Sequence, residues 1–189
     1  MRTRTIAIAA CCSLLGACAT MIGPENAFRM TSPGMSDDQM MAPNMAGNFK
    51  KNPNCTGDNI SPALEWSHAP AKTRSFALIV VDKAGRVGLG VSHGVIYGIP
   101  ASVTSLPEGA LAGPHPTVGV GGSNTLNMPY VGPCTPRNTA PHHYVFTLIA
   151  TDLEPNALQP GLKQDALLKA IEGHGLDAAS LVFRFAQPG

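Results

Sequence analysis

Apolar positions fall into short runs, each closed by proline, glycine or a charged residue. Phe76 to Val81, FALIVV, is continuous and rich in β-branched residues, and it ends at Asp82. That pattern predicts a central strand covered on both faces. Lys83 to Ser92 reads as a glycine-rich loop, and His93 to Ile99 as the next strand, closed by Pro100. If the two strands pair antiparallel, Asp82 and His93 lie at the same end of the sheet. Tyr130 to Thr151 carries the second strong signal. Its first half is turn chemistry, with Gly132-Pro133, Cys134, Pro136, Asn138 and Pro141. Its second half alternates strictly. His142, Tyr144, Phe146 and Leu148 fall on one face, and His143, Val145, Thr147 and Ile149 on the other.

Weaker signals flank this centre. Phe28 to Ser32 suits a first strand, stopped by Pro33-Gly34, and Gly34 to Asn54 reads as irregular. Trp66 closes a short extended run and belongs in the core. Gly113 to Pro129 is a long loop. Lys163 to Glu172 is a helix with Leu167, Leu168 and Ile171 as its apolar stripe and Gly173 as its stop. Ser180 to Phe185 is a last strand. No internal repeat is visible.

Composition narrows the class. The chain has 189 residues, 44% hydrophobic and 13% charged, enough for one domain with its own core. Its 17 prolines and 20 glycines between short apolar runs argue for a turn-rich, mainly β domain. A net charge of +1 with no basic run gives no electrostatic footprint for nucleic acid. No cofactor motif stands out.

The N-terminus reads as an address. Arg2 and Arg4 precede an apolar run from Ile6 to Leu15, too short to span a bilayer. Leu15-Gly16-Ala17-Cys18 looks like a bacterial lipobox, in which the cysteine is acylated and becomes the new terminus. The chain therefore divides into a signal at 1–17, a lipidated tether at 18–27 and a domain at 28–189. Ala19 follows the cysteine, which by the enterobacterial sorting pattern favours the outer membrane, facing the periplasm. Cys11 and Cys12 leave with the signal, so Cys55 and Cys134 remain in an oxidising compartment. They read as a disulfide; the alternative is two separately buried thiols. Met35, Met40, Met41 and Met45 could be soft copper ligands or patches on the core.

Asp82, His93 and His142 form the candidate chemistry, three ionisable groups at one sheet end with Tyr144 on the His142 face. A serine triad is a rival, but Ser92 points away from His93 on a strand, and Ser123 lies outside a nucleophile elbow. A metal site of two histidines and one carboxylate has the right residue types without a spacing motif.

These residues, with Asn59-Ile60-Ser61-Pro62, Trp66, Ser75-Phe76-Ala77-Leu78, Ile99-Pro100-Ala101, Gly132-Pro133-Cys134 and Pro141-His142-His143-Tyr144-Val145-Phe146, occur in a telling order. From about Phe28 to Phe185 the chain resembles the bacterial branch of the phosphatidylethanolamine-binding protein family, also called Raf-kinase-inhibitor-like proteins. The resemblance implies an antiparallel β-sandwich with a C-terminal α-helix. It also implies a non-catalytic pocket for phosphate-like or phospholipid-headgroup anions at Asp82, His93, Gly132, Pro133, His142 and Tyr144. Cys55 and Cys134 match family positions near that pocket. Several positions depart from the family pattern. The second acid after Asp82 is absent from Lys83-Ala84-Gly85-Arg86, an aromatic pair is Val91-Ser92, a further aromatic is Gly94, and an asparagine is Gly98.

The expected function is therefore binding of a small anionic or phosphorylated ligand by a protein held at the membrane through its lipid. In this reading Asp82 orients one imidazole and both histidines meet the anion in their charged form. An inhibitor acting on a protease or signalling partner through the pocket loops is the second expectation, and a hydrolase or metal-assisted enzyme the third. Cys18→Ser is expected to release the protein from the membrane fraction or to block signal processing. An acyl-free mature wild-type protein beginning elsewhere, seen by mass spectrometry, refutes the anchor. A tether of this length reaches at most roughly 35 Å, which keeps the domain beside the bilayer.

Overall fold

The computed structural model describes residues 24–112 and 118–187. The signal, Cys18 and most of the tether lie outside those residues. In chain order the strands are β1 (Arg29–Thr31), β2 (Gln39–Met40), β3 (Leu64–Ser67), β4 (Ser75–Asp82), β5 (Val91–Pro100), β6 (Ser105–Leu106), β7 (Val120–Gly121), β8 (His142–Thr151) and β9 (Gly175–Phe185). Helix α1 (Gln164–Ala170) precedes β9. A six-stranded sheet runs β2-β9-β8-β4-β5-β7, and a three-stranded sheet runs β1-β3-β6.

The continuous apolar run becomes the middle of the large sheet because both of its faces find partners. Phe76, Leu78 and Val80 join Trp66, Phe146, Leu148 and Phe183 in the core between the sheets. Ala77 and Ile79 point the other way, to Val95, Tyr97, Leu167 and Ile171 beneath α1. Each face thus removes apolar surface from water, which is the main favourable term in folding. The alternation read in β8 holds: Tyr144, Phe146 and Leu148 are buried and His143 is exposed.

Five details differ from the sequence reading; one is β7, which pairs with β5 inside the stretch from Gly113 to Pro129 read as a long loop. Leu167 and Ile171, four residues apart, share the buried face of α1, but Leu168 is turned outward and 37% exposed. A helix this short covers the sheet with a stripe two residues wide. β9 begins at Gly175, five residues before the expected start at Ser180, because β8 offers a ladder along its whole length and local propensity yields to it. β5 begins at Val91, inside the stretch read as loop. The segment read as irregular contains β2, which pairs parallel with β9, so the sandwich is not wholly antiparallel.

That parallel edge is fastened by both backbone and side chains. Asp38 and Met41 donate to Val182 and Arg184 carbonyls at 2.7 and 2.8 Å. The Asp37 carboxylate accepts from Val182 N at 2.7 Å. The methionines divide: Met41 and Met45 enter the core, Met35 packs on its margin, and Met40 is exposed. Met41, Met45 and Met35 thus patch the core, and Met40 does not.

Cys55 and Cys134 form a disulfide between the segment after β2 and the loop before β8. The bridge closes a loop with a sequence separation of 79. By the chain-entropy model it contributes about 4 kcal/mol. Reduction, or Cys55→Ser with Cys134→Ser, is expected to lower unfolding free energy by about that amount in denaturant titration. Peptide mapping of exported protein that finds both thiols free and alkylatable refutes the pairing.

Candidate functional site

The site is built by a bulge. Asp82, at the end of β4, pairs with Val91 of β5 on one side and Tyr144 of β8 on the other. Val81 faces Ser92, but Val80 faces Gly94, so His93 is the extra residue. In an unbroken strand His93 would share the side of Val95, under the helix. The bulge instead puts it on the side of Val91, Asp82 and Tyr144, a re-aiming that bulges near functional sites commonly perform. Gly94 makes this possible. A Cβ there would lie 2.8 Å from Val80 Cγ2 and 3.3 Å from Tyr130 Cδ2.

Asp82 does two jobs with its two oxygens. Oδ2 accepts from His142 Nδ1 at 2.7 Å. Oδ1 accepts from the Ala84 and Gly85 amides at 2.9 and 3.0 Å, which caps the following loop. The expectation that Asp82 orients an imidazole is met, and the imidazole is His142. The pair is well shielded, with side chains only 14% and 5% exposed.

His93 is held differently. Its Nδ1 donates to the Val131 carbonyl at 2.8 Å and the Gly132 carbonyl at 3.2 Å. Carbonyls only accept, so Nδ1 carries the hydrogen and Nε2 carries a lone pair in the neutral ring. The ring meets Tyr144 edge-on, with centroids 5.0 Å apart. Burial pushes the His93 pKa below its usual value of 6.5; the two carbonyls and the nearby Asp82 charge oppose this, and the His142 charge adds to it. The sequence reading expected a charged His93. The buried ring is neutral at neutral pH, because desolvation outweighs the single carboxylate within reach.

Tyr144 is placed by a directed chain of hydrogen bonds. Cys134 N donates to its hydroxyl oxygen at 3.3 Å. Thr135 Oγ1 lies 2.9 Å from that hydroxyl and donates onward to Phe185 O at 3.2 Å. The Tyr144 hydroxyl therefore donates to Thr135 Oγ1, and burial raises the phenol pKa well above its usual range. Tyr144 thus serves the site as a wall for His93, with its polar end turned inward. Gly132 and Pro133 are positioned from behind. Gly132 N donates to Asn59 Oδ1 at 2.7 Å, and Pro133 O accepts from Gly47 N at 2.8 Å. A Cβ on Gly132 would sit 2.2 Å from Met45 O, so the loop can approach only as glycine.

Two supporting residues carried little sequence signal. Asn59 is buried in a left-handed turn with φ of 62° and fixes Gly132. Asn124 donates through Nδ2 to His93 O at 2.9 Å while its Oδ1 caps Leu126 and Met128. Asn59 stood in the Asn59-Ile60-Ser61-Pro62 stretch behind the resemblance, without a role; for Asn124 the one hint is that asparagine in loops bonds nearby backbone. Neither serine weighed as a nucleophile bonds a site histidine: Ser123 donates to Asn127 Oδ1, and the Ser92 hydroxyl, on the opposite side of the sheet, has no hydrogen-bond partner among the described residues. A cleft of ≈ 620 Å³ opens on that opposite side, between the 83–90 loop, Ser123–Asn127 and the start of α1.

Known proteins share this fold. The family model described as phosphatidylethanolamine-binding protein matches residues 32–186. The chain is 38% identical over 130 residues to a UPF0098 protein of Methanothermobacter thermautotrophicus, covering 68% of this chain and 83% of that one. It is 36% identical over 133 residues to the Escherichia coli protein YbcL, covering 68% of this chain and 70% of that one. The crystal structure of Escherichia coli YbcL, described as a new member of the mammalian PEBP family, superimposes with a TM-score of 0.74 and 28% identity. That match covers 85% of this chain and 99% of YbcL. A structure from Chlamydia trachomatis described as a PEBP homologue gives 0.72 and 28%, over 86% and 99% of the two chains. A pair of layered sheets with one helix before the final strand is the β-sandwich frame of these proteins. The chain belongs to the phosphatidylethanolamine-binding protein family.

A buried neutral histidine has a consequence for stability. Its native pKa lies below the unfolded value, so the unfolded chain gains the proton first as pH falls. Stability is fully present above about pH 6.5 and declines below it, with no further loss once pH has dropped past the lowered native pKa. Wild type should be less stable at about pH 5.5 than at about pH 7.5, and His93→Gln should remove part of that difference. A pH dependence of unfolding that is identical in the two proteins counts against a neutral His93.

Proposed function

We propose that this protein is anchored by lipid in the bacterial envelope and binds a small phosphate-like or phospholipid-headgroup anion. The ligand site consists of Asp82, His93, Gly132, Pro133, His142 and Tyr144. The observation that carries this reading is the state of the two imidazoles. Each has Nδ1 committed, to backbone carbonyls or to Asp82, and neither Nε2 makes a hydrogen bond among the described residues. Two oriented rings with free outer nitrogens, on one face of one sheet end, suit a compact ligand rich in oxygen.

The family description names phosphatidylethanolamine, and this supports a headgroup as the anion. A relative in Mycobacterium tuberculosis, LppC, is named as a candidate lipoprotein; it is 39% identical over 108 residues, about half of each chain. That supports the anchor. No helix among the described residues is long and apolar enough to cross a membrane.

Chemistry at His93 sets the pH law. A lone pair on Nε2 repels an anion, so binding there requires a proton on the ring or on the ligand. With an anion that carries no proton, such as sulfate or a phosphodiester, the ring must take one up. Binding then raises the His93 pKa, and affinity falls as pH rises between the free and bound values. Asp82 favours the hydrogen-bonded ring of His142 and keeps its Nε2 pointed outward.

Calorimetry with glycerophosphoethanolamine or sulfate, run in buffers of different ionisation enthalpy, should show net proton uptake and weaker binding at higher pH. His93→Ala and His142→Ala should each weaken binding by about 1.5–3 kcal/mol, the worth of a hydrogen bond to a charged group. Asp82→Asn should weaken it less at about pH 5.5 than at about pH 7.5. Unchanged affinity in both histidine variants means that the anion binds elsewhere.

A further inference from the structure

The sheet end that carries the histidines also carries a loop that the ligand site does not use. Residues 83–90 are tied down from within: Gly88 N bonds Ala84 O at 3.1 Å, Leu89 N bonds Arg86 O at 3.3 Å, and Gly90 N bonds Gly85 O at 2.9 Å. Asp82 caps its start. Yet this well-bonded loop displays its apolar residues. Val87 is 101% exposed and Leu89 is 78% exposed. Arg86 and Val87 both take left-handed backbone, with φ of 52° and 57°. For a β-branched residue that conformation is costly, and strain of this kind collects at functional segments. Nothing in the fold gains from it, since the turn lifts Val87 off the protein.

Charge surrounds the two apolar residues. Lys83 and Arg86 lie on the same loop, and Lys163 faces them across the ≈ 620 Å³ cleft. Asp165 is the single carboxylate in the cleft lining, and none of the three cations has an ion pair among the described residues. Ser92 Oγ, also in the lining, is buried without a hydrogen-bond partner. Buried hydroxyls are ordinarily satisfied, so this one is available to a ligand oxygen.

We infer that the 83–90 loop is a membrane-contacting element that docks the domain on an anionic phospholipid surface, with Val87 and Leu89 entering the interface and Lys83, Arg86 and Lys163 meeting headgroups. Two exposed side chains are too small an apolar area for a stable protein interface, which buries about 800 Å² per partner. An apolar tip flanked by cations is sufficient for interfacial binding to lipid. The inference does not depend on what the histidine pair binds. It fixes an orientation, with the histidine end of the sheet toward the bilayer.

The test uses the mature chain from Ala19 to Gly189, made without the signal and Cys18, so that neither the acyl chain nor the apolar signal contributes to binding. It should co-sediment with phosphatidylglycerol vesicles more than with phosphatidylcholine vesicles, and added salt should release it. Val87→Asp and Leu89→Asp should each lower the partition coefficient about tenfold or more. Lys83→Glu and Arg86→Glu should each lower it about fivefold or more. Both apolar sites are exposed, and unchanged emission from the buried Trp66 checks that the aspartate variants remain folded. Independently, Leu89→Trp should shift its emission to the blue on phosphatidylglycerol vesicles and be quenched by brominated acyl chains. Vesicle binding that survives both aspartate changes, or Leu89→Trp emission that the vesicles leave unmoved, overturns the inference. The second result would hold even if a soluble protein or inorganic phosphate were found to occupy the cleft.

Discussion

A carboxylate withdrawn from water must be matched by donors, and Asp82 is matched on every side. It receives two backbone amides of the loop that follows it and the Nδ1 hydrogen of His142. Those three bonds join β4 to the 83–90 loop and to the first residue of β8. Removing any one leaves an anion short of a partner in a site only 5% exposed, and that shortage costs more than an ordinary hydrogen bond. The same group therefore terminates a strand, shapes a loop and aims the His142 ring. Gly85 shows how tightly these roles are linked. A Cβ there would come within 2.9 Å of Asp82 Oδ2 and 2.7 Å of Val91 Cγ2.

The two histidines are complementary because their second partners differ. His142 leans on a charge, and His93 leans on neutral carbonyls inside a desolvated wall. Two charged imidazoles side by side would repel, and burial resolves the conflict by holding His93 neutral until something brings a proton. Tyr144 contributes to that state by taking up space beside His93 while spending its own hydroxyl on Thr135.

Much of this frame was legible in the sequence, for physical reasons that can be named. FALIVV, short, β-branched and closed by Asp82, pointed to a strand with two covered faces, and the alternation from His142 put Tyr144 and Phe146 on one face. Asp82 and His93 at one sheet end followed from two adjacent strands and a short loop. What escaped was whatever depended on distant backbone. The parallel pairing of Gln39-Met40 requires the edge of β9, which lies more than a hundred residues on. The side of the sheet on which His93 falls was decided by one extra residue in the β5 register, and strict alternation would have sent it under the helix. Its protonation state was equally out of reach, since desolvation is a property of the packed surroundings and not of the residue.

The departures from the family pattern acquire reasons once the neighbours are in place. Gly94 stands where an aromatic was expected, but the volume beside it is already taken by Val80 and by the Tyr130 ring, which runs along β5 through the bridge between positions 94 and 130. Gly98 replaces an expected asparagine on the side of the helix-facing loop. Its φ is 63°, and a Cβ would lie 2.2 Å from Pro155 O. That glycine answers to the packing of the 153–162 segment, far from the histidines. Val91-Ser92 replaces an aromatic pair, and the two residues diverge: Val91 closes over Asp82 beside Gly85, while Ser92 opens the cleft on the other face. The chain has exchanged aromatic bulk at the rim of one face for polar room on the other. The loop joining the two faces is the one that lifts Val87 and Leu89 into solvent.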